Sequence, residues 1–250
     1  MKIILFFSLL LIGVLVGQSC SSAAPKDPAQ TIVDAAIKAH GADQFAKSQV
    51  EFTFRDRQYR ATRDGGQYTY ERIWVDTTGS NHDSLSNEGF TKHIDGQLVQ
   101  VEKEKADAYS NSINSVIYFA QLPYFLNDAA VIKAYIGTST IKGEVYDKVK
   151  VIFEQEGGGK DFEDQFIYWF HQEKKTMDYL AYNYKTDGGG ARFRASYNVR
   201  EVNGIRFADY INLKPKDKNN LAVETFDALY EQGELIELSR IETEDIKVEL

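Results

Sequence analysis

The sequence predicts an α+β chain that is mostly antiparallel β: a strongly curved open sheet, in effect a half-barrel, with an N-terminal helix and a helical lid insertion. Three observations lead there. Tyr and Phe number 15 each and Trp 2, against 4 Pro and 2 Met in 250 residues, a composition that suits strands better than a helical bundle. Most of the chain falls into period-two segments joined by turns too short to carry parallel crossovers. Helical spacing is confined to residues 28–39 and about 103–135.

The charge balance narrows the function. With 29 Lys plus Arg against 37 Asp plus Glu, the formal charge is -8, and a basic phosphate-reading surface is not on offer, so nucleic acid is excluded as a main partner. Hydrophobic residues at 43% and charged ones at 26% exclude wholesale disorder and, past the N-terminus, a multi-span membrane protein.

In chain order, residues 1–19 read as a signal peptide. The apolar run Ile3 to Val16 is long enough for its core and too short to span a bilayer. The lone cysteine, Cys20, follows in Gly17-Gln18-Ser19-Cys20, which resembles a bacterial lipobox with Gly17 where such motifs usually carry Leu. A thiol with no partner in an oxidising compartment agrees with lipidation of Cys20. The alternative is cleavage after Ser22-Ala23-Ala24, which would leave Pro25 at the new N-terminus. Lipidation leaves 28 basic and 37 acidic residues, a charge of -9, and supplies stable membrane anchoring through residues 20–27 as a lipidated tether.

Residues 28–250 then read as a single curved-sheet domain. Asp27, Pro28 and Gln30 form a helix start, and Gly41 a stop. Val50, Phe52 and Phe54 alternate with polar residues in a first strand, and a second covers Gln67 to Asp76. Residues 77–87 read as a loop, and Asp95-Gly96 as a hairpin turn. Two helices, Lys103 to Gln121 and Pro123 to Tyr135, form the insertion. The first carries Ser110, Asn111, Ser112, Asn114 and Ser115, so packing rather than propensity must hold it. From Ile136 the strands are short and regular, the last two spanning about 221–230 and 234–249.

Phe166 to Phe170 and Tyr179 to Tyr182 are apolar on both faces, so both faces need cover. The predicted helices are too few for a second layer. Either the sheet curls over itself or part of its surface lines a cavity for a hydrophobic guest.

The order of helix, strands, helical insertion and long meander behind a lipidated Cys20 resembles the LolA/LolB superfamily of lipoprotein carriers. Tyr109 to Ala120, Gly157 to Asp164 and Gly204 to Phe207 also resemble an uncharacterised group of Bacteroidota lipoproteins. The first resemblance implies a half-barrel whose helical lid encloses an acyl-chain pocket, and a carrier in the cell envelope, anchored at the outer membrane and facing the periplasm. It implies a lipid or other hydrophobic or amphiphilic ligand and no catalytic signature.

On that reading Tyr109, Ile113, Ile117 and Tyr124 form the lid face, and Phe52, Phe54, Trp74, Phe166 and Tyr168 the pocket wall. Arg72 shares a strand face with Tyr70 and Trp74, where a guanidinium can stack on aromatics and offer its fork to an anionic head group. Against that stands a structural stack with a carboxylate such as Glu71 or Asp76. Arg55, Arg57, Arg60 and Arg63 read as solvated strand charges. Asp161, Glu163 and Asp164 lack calcium-loop spacing, the Gly157-Gly158-Gly159-Lys160 run is no P-loop, and His40, His82, His93 and His171 are scattered without metal-ligand spacing. No cofactor or metal is implied. A periplasmic hydrolase using Asp161, Asp164 or His171 is the weaker reading, and a structural lipoprotein docking another envelope protein is a third.

Overall fold

The computed structural model describes residues 27–154, 156, 164–185 and 188–250. The leader, Cys20, and the acidic residues Asp161 and Glu163 lie outside the described residues.

Helix α1, Pro28–Ala39, starts as its sequence dictates: Asp27 Oδ1 accepts from the Ala29 amide at 3.0 Å and proline takes the first turn. Gln30 does not close a capping box, because its amide reaches Asp34 and Asn127 instead. Ala29, Val33 and Ala36 form the buried stripe. The helix ends at Gly41, with φ +62°, where a Cβ would lie 2.1 Å from the Gly204 carbonyl oxygen. Only glycine permits that approach of the helix end to a distant hairpin.

Strands β1 (Lys47–Phe54), β2 (Arg57–Asp64), β3 (Gln67–Asp76), β4 (Gly79–Ser86), β5 (Gly89–Ile94) and β6 (Gln97–Leu98) form an antiparallel meander. Helix α2, Lys103–Ala120, follows, and then a second meander: β7 (Val131–Ile141), β8 (Glu144–Phe153), β9 (Gln165–His171), β10 (Met177–Tyr184), β11 (Gly190–Val202), β12 (Ile205–Pro215) and β13 (Leu235–Ile241). The last strand, β14 (Glu244–Glu249), returns to pair with β1. The strands thus form two seven-stranded sheets, curved and unclosed, which the chain joins at the β13–β14 step. This is the expected α+β half-barrel.

Three local expectations are corrected. Residues 79–86 are strand β4, not loop. Its inward positions include Asn81 and Asp83, both buried, so it has no full apolar alternation to read. Residues 123–135 hold no second helix but a 3-10 turn, Tyr124–Asn127, and the start of β7, where Ile132 pairs with Ile152 and Ala134 with Lys150. The stretch 221–230 is not a strand. It forms a 3-10 turn, Val223–Thr225, leading into α3, Phe226–Glu231, with Val223, Phe226 and Asp227 buried at helical spacing.

That last correction answers the question of cover. On the inner face of the second meander, Phe166, Tyr168 and Phe170 pack with Leu180 and Tyr210 against α1 and the end of α2. On the outer face, Ile167, Trp169 and Phe193 are sealed by Val223 and Phe226. Trp169 Nε1 donates to Ser139 Oγ at 3.1 Å, and Asp227 holds Lys148 at 2.9 Å. A third cluster joins Val50, Phe52, Tyr59, Ala61 and Tyr70 of the first meander to Ile113 and Ile117 of α2.

Candidate functional site

Helix α2 lies between the two halves of the sheet and is weakly built for a helix in that position. Its N-cap residue, Glu102, makes no side-chain cap, and Ser110 Oγ bonds back to the Ala106 carbonyl at 2.7 Å. The five Ser and Asn residues from 110 to 115 cost about 0.5 kcal/mol each relative to alanine, about 2–3 kcal/mol together. Only Ile113 and Ile117 are fully buried along its 18 residues. Just past its end, Gln121 is buried with neither amide atom bonded within the protein, a further cost of the seated position.

Ile113 and Ile117 are buried in the cluster of the first half; Val116 and Ala120 pack at its edge and, with Phe119, border a cleft of about 210 Å³ toward the second. Ala208, Tyr210 and Ile241 supply the apolar floor, and Phe54 and Arg55 close the cleft where the sheet halves meet. The polar part is Arg194 on β11, Asn212 on β12, Ser239 on β13, and Ser115 and Thr243 at the margin. Burial pushes the Tyr210 hydroxyl up to about 12, so it stays protonated at neutral pH. The charged side chains of the lining are both arginines, and no carboxylate lines the cleft.

Arg194 is the unusual member. Its guanidinium lies 3.9 Å from the Phe119 ring centroid and 5.3 Å from that of Tyr182, and Nη2 donates to the Tyr182 hydroxyl at 3.1 Å. Neither Arg194 nor Asn212 was singled out by sequence. Arg192 and Arg194 alternate with Ala191, Phe193 and Ala195, and β11 is buried on both faces from Phe193 to Ala195.

Of the residues expected to form a pocket, Phe54 lines this cleft. Phe52 is stacked on Tyr59 within the core, and Phe166 and Tyr168 are packed on one another and on neighbouring rings. Tyr168 also shares a hydroxyl contact with Tyr118 at 3.3 Å. Tyr124 leans on Phe45 and Phe125. The aromatic wall is therefore largely filled by its own side chains in this conformation.

Arg72 does not offer its fork outward. Nη2 pairs with Asp83 at 2.5 Å, Nη1 donates to Ser112 of α2 at 3.0 Å, and Lys92 meets the other Asp83 oxygen at 2.9 Å. Trp74, half-buried, is flanked by Lys92, Arg57 and Arg72 at 4.5, 4.7 and 5.3 Å from its ring, with Tyr109 beside Lys92 and Arg72. The partner is thus Asp83, on the strand that had read as a loop, and not Glu71 or Asp76. Arg63 is likewise no solvated charge: 5% exposed, it lies against Tyr70, Tyr124 and Phe125 and donates to the Tyr70 hydroxyl.

His40 and His171 are bonded within the fold. His40 Nε2 accepts from the Met177 amide at 2.9 Å, and burial, then the Arg206 charge, lower its pKa to about 3. His171 Nδ1 accepts from the amides of Glu173 and Lys174, while Nε2 meets Glu144 at 3.1 Å. Among the described residues no group of three His, Cys, Asp or Glu is placed to hold a metal, and no helix is long and apolar enough to cross a membrane.

Fold and cleft define an open antiparallel half-barrel with a helix seated in its concavity. The chain belongs to a family of unknown function, DUF6503, whose profile matches residues 4–243. No curated protein matches the sequence. Among solved structures, a DUF1329 family protein from Desulfovibrio piger is similar at TM-score 0.50 and 10% identity, covering 90% of this chain and 94% of that one. A LolA superfamily protein from Nitrosomonas europaea is similar at TM-score 0.48 and 10% identity, covering 88% and 92%. A candidate outer membrane lipoprotein-sorting domain from Vibrio parahaemolyticus follows at 0.47 and 8%, covering 88% and 93%.

Proposed function

We propose that this chain is an exported envelope protein, anchored through Cys20 at the outer membrane, that captures and releases a hydrophobic or amphiphilic ligand in its half-barrel. The observation that carries the reading is the mostly apolar cleft between α2 and strands β11 to β13, bordered by an uncapped helix of poor propensity. The resemblance of the sequence order to lipoprotein carriers leads to the same conclusion.

The cleft's 210 Å³ exceeds the ~150 Å³ cavity that admits benzene and falls below the ~300–1,000 Å³ of full ligand pockets. A head group and the start of a chain fit; a whole acyl chain requires α2 to shift. A shift would free Ile113 and Ile117 from the first half of the sheet and uncover Phe52, Tyr70, Phe166 and Tyr168 as chain-contacting wall, and it would hydrate Gln121. Helix displacement of this kind is the capture and release step.

The test is native mass spectrometry of the purified protein together with titration by a fatty-acyl fluorescent probe. Co-purified lipid or saturable probe binding is expected. Delipidated protein that shows neither contradicts the proposal.

A further inference from the structure

The register of the second half of the sheet lines up a polar row across the cleft. Arg194 pairs with Asn212, and Asn212 with Ser239, on three successive strands. Part of their bonding capacity is already used: Asn212 Nδ2 donates to Ser239 Oγ at 3.1 Å and Arg194 Nη2 to Tyr182. Two further atoms, the donor Arg194 Nε and the acceptor Asn212 Oδ1, are buried and without a partner, on residues each 8% exposed. Unsatisfied buried polar atoms are costly, and a neighbouring pair of opposite sense in a cleft is what a ligand's polar head would complete.

Charge selects the head. Among the described residues Arg194 forms no ion pair, and the other ionised lining residue, Arg55, is also positive. The cleft is a cationic spot in a protein of formal charge -8. One buried guanidinium matches one negative charge, and its planar fork suits the planar carboxylate.

Resting on the carrier reading above, we propose that the cleft selects single-chain carboxylates. Arg194 Nε donates to the carboxylate, and Asn212 Oδ1 accepts from a hydroxyl close to it, so a β-hydroxy fatty acid is held better than the plain acid. Phe119 on α2 stacks on the same guanidinium, which places the head at the hinge between lid and sheet.

The experiment compares dodecanol, dodecanoate and β-hydroxydodecanoate by isothermal titration on the wild-type chain, Arg194→Met and Asn212→Leu. Dodecanoate should bind about tenfold or more tightly than dodecanol, as a charge-assisted hydrogen bond implies. That gap should vanish in Arg194→Met. The hydroxy acid should gain several-fold over dodecanoate, and lose the gain in Asn212→Leu. Equal binding of alcohol and acid to the wild-type chain overturns the head assignment while leaving the carrier reading intact, and it needs no variant to fold. A gap that survives in folded Arg194→Met, no gain from the hydroxyl, or tighter binding of a lysophospholipid than of dodecanoate also overturns it. Failure of all three chains to bind contradicts the carrier reading itself.

Discussion

Replacing Ile117 by alanine should open α2 while leaving the sheet folded. Ile117 is fully buried against Phe52, Tyr59 and Tyr70, and it is one of the two side chains that α2 buries completely. Truncating a buried isoleucine to alanine costs about 2–5 kcal/mol. Because the second half of the sheet keeps cores in which Ile117 takes no part, that loss falls on the seating of the helix against the first half. It raises the opening equilibrium of α2 by about thirtyfold or more. Hydrogen exchange read by mass spectrometry measures this directly, with peptides from β9 and β10 as internal reference. The expected result is loss of protection across residues 113–120 with the reference peptides unchanged, together with a faster association rate for a fatty-acyl probe. If α2 and β9–β10 lose protection in step, or α2 exchange does not change, the helix is not a separately moving lid and the reasoning fails.

Three further outcomes follow from the geometry. Asp83→Ala leaves the buried Arg72 and Lys92 without their carboxylate and should cost about 3–5 kcal/mol in urea unfolding, whereas a loss under 1 kcal/mol would mean that the network is relaxed by water. His40 should make stability pH-dependent. Its native pKa lies near 3 against an ordinary 6.5, so the contribution is complete above about pH 6.5 and is lost as the pH falls toward 3, with an upper bound of about 5 kcal/mol. In His40→Gln the stability profile over that window should flatten, and equal slopes in the two proteins would refute the assignment. Gly41→Ala forces a Cβ onto the Gly204 carbonyl at a left-handed backbone position and should cost about 1–3 kcal/mol, lowering Tm by about 2–4 °C for each kcal/mol; an unchanged Tm contradicts it.

The strands and the first helix were readable because their physics is local. Asp27, Pro28 and Gly41 mark α1 on their own, and Phe52 and Phe54 alternate as a half-buried strand must. Strand β4 was hidden because Asp83 faces inward to neutralise two cations that belong to other strands, and no pattern within 79–86 encodes that. Val223, Phe226 and Asp227 did carry a helical period, but it is short, and regular strand spacing on both sides masked it. Missing α3 left Ile167 and Trp169 apparently uncovered and exaggerated the apolar surface free for a guest. The site was legible only in part. Ile113 and Ile117 are legible as an apolar stripe of α2, yet which half of the sheet that stripe meets depends on tertiary packing. Arg194 and Asn212 meet through cross-strand register, which a single strand's sequence does not show.

The most direct measurement is paramagnetic broadening of the protein's methyl and amide NMR signals by a doxyl-labelled fatty acid. Broadening concentrated on Val116, Phe119, Ala208 and Ile241, with the outer-face residues Val223 and Phe226 sharp, is the result expected if the ligand enters beneath α2. Saturable binding that broadens the outer face and spares α2 and β12–β13 would place the ligand elsewhere and contradict the account.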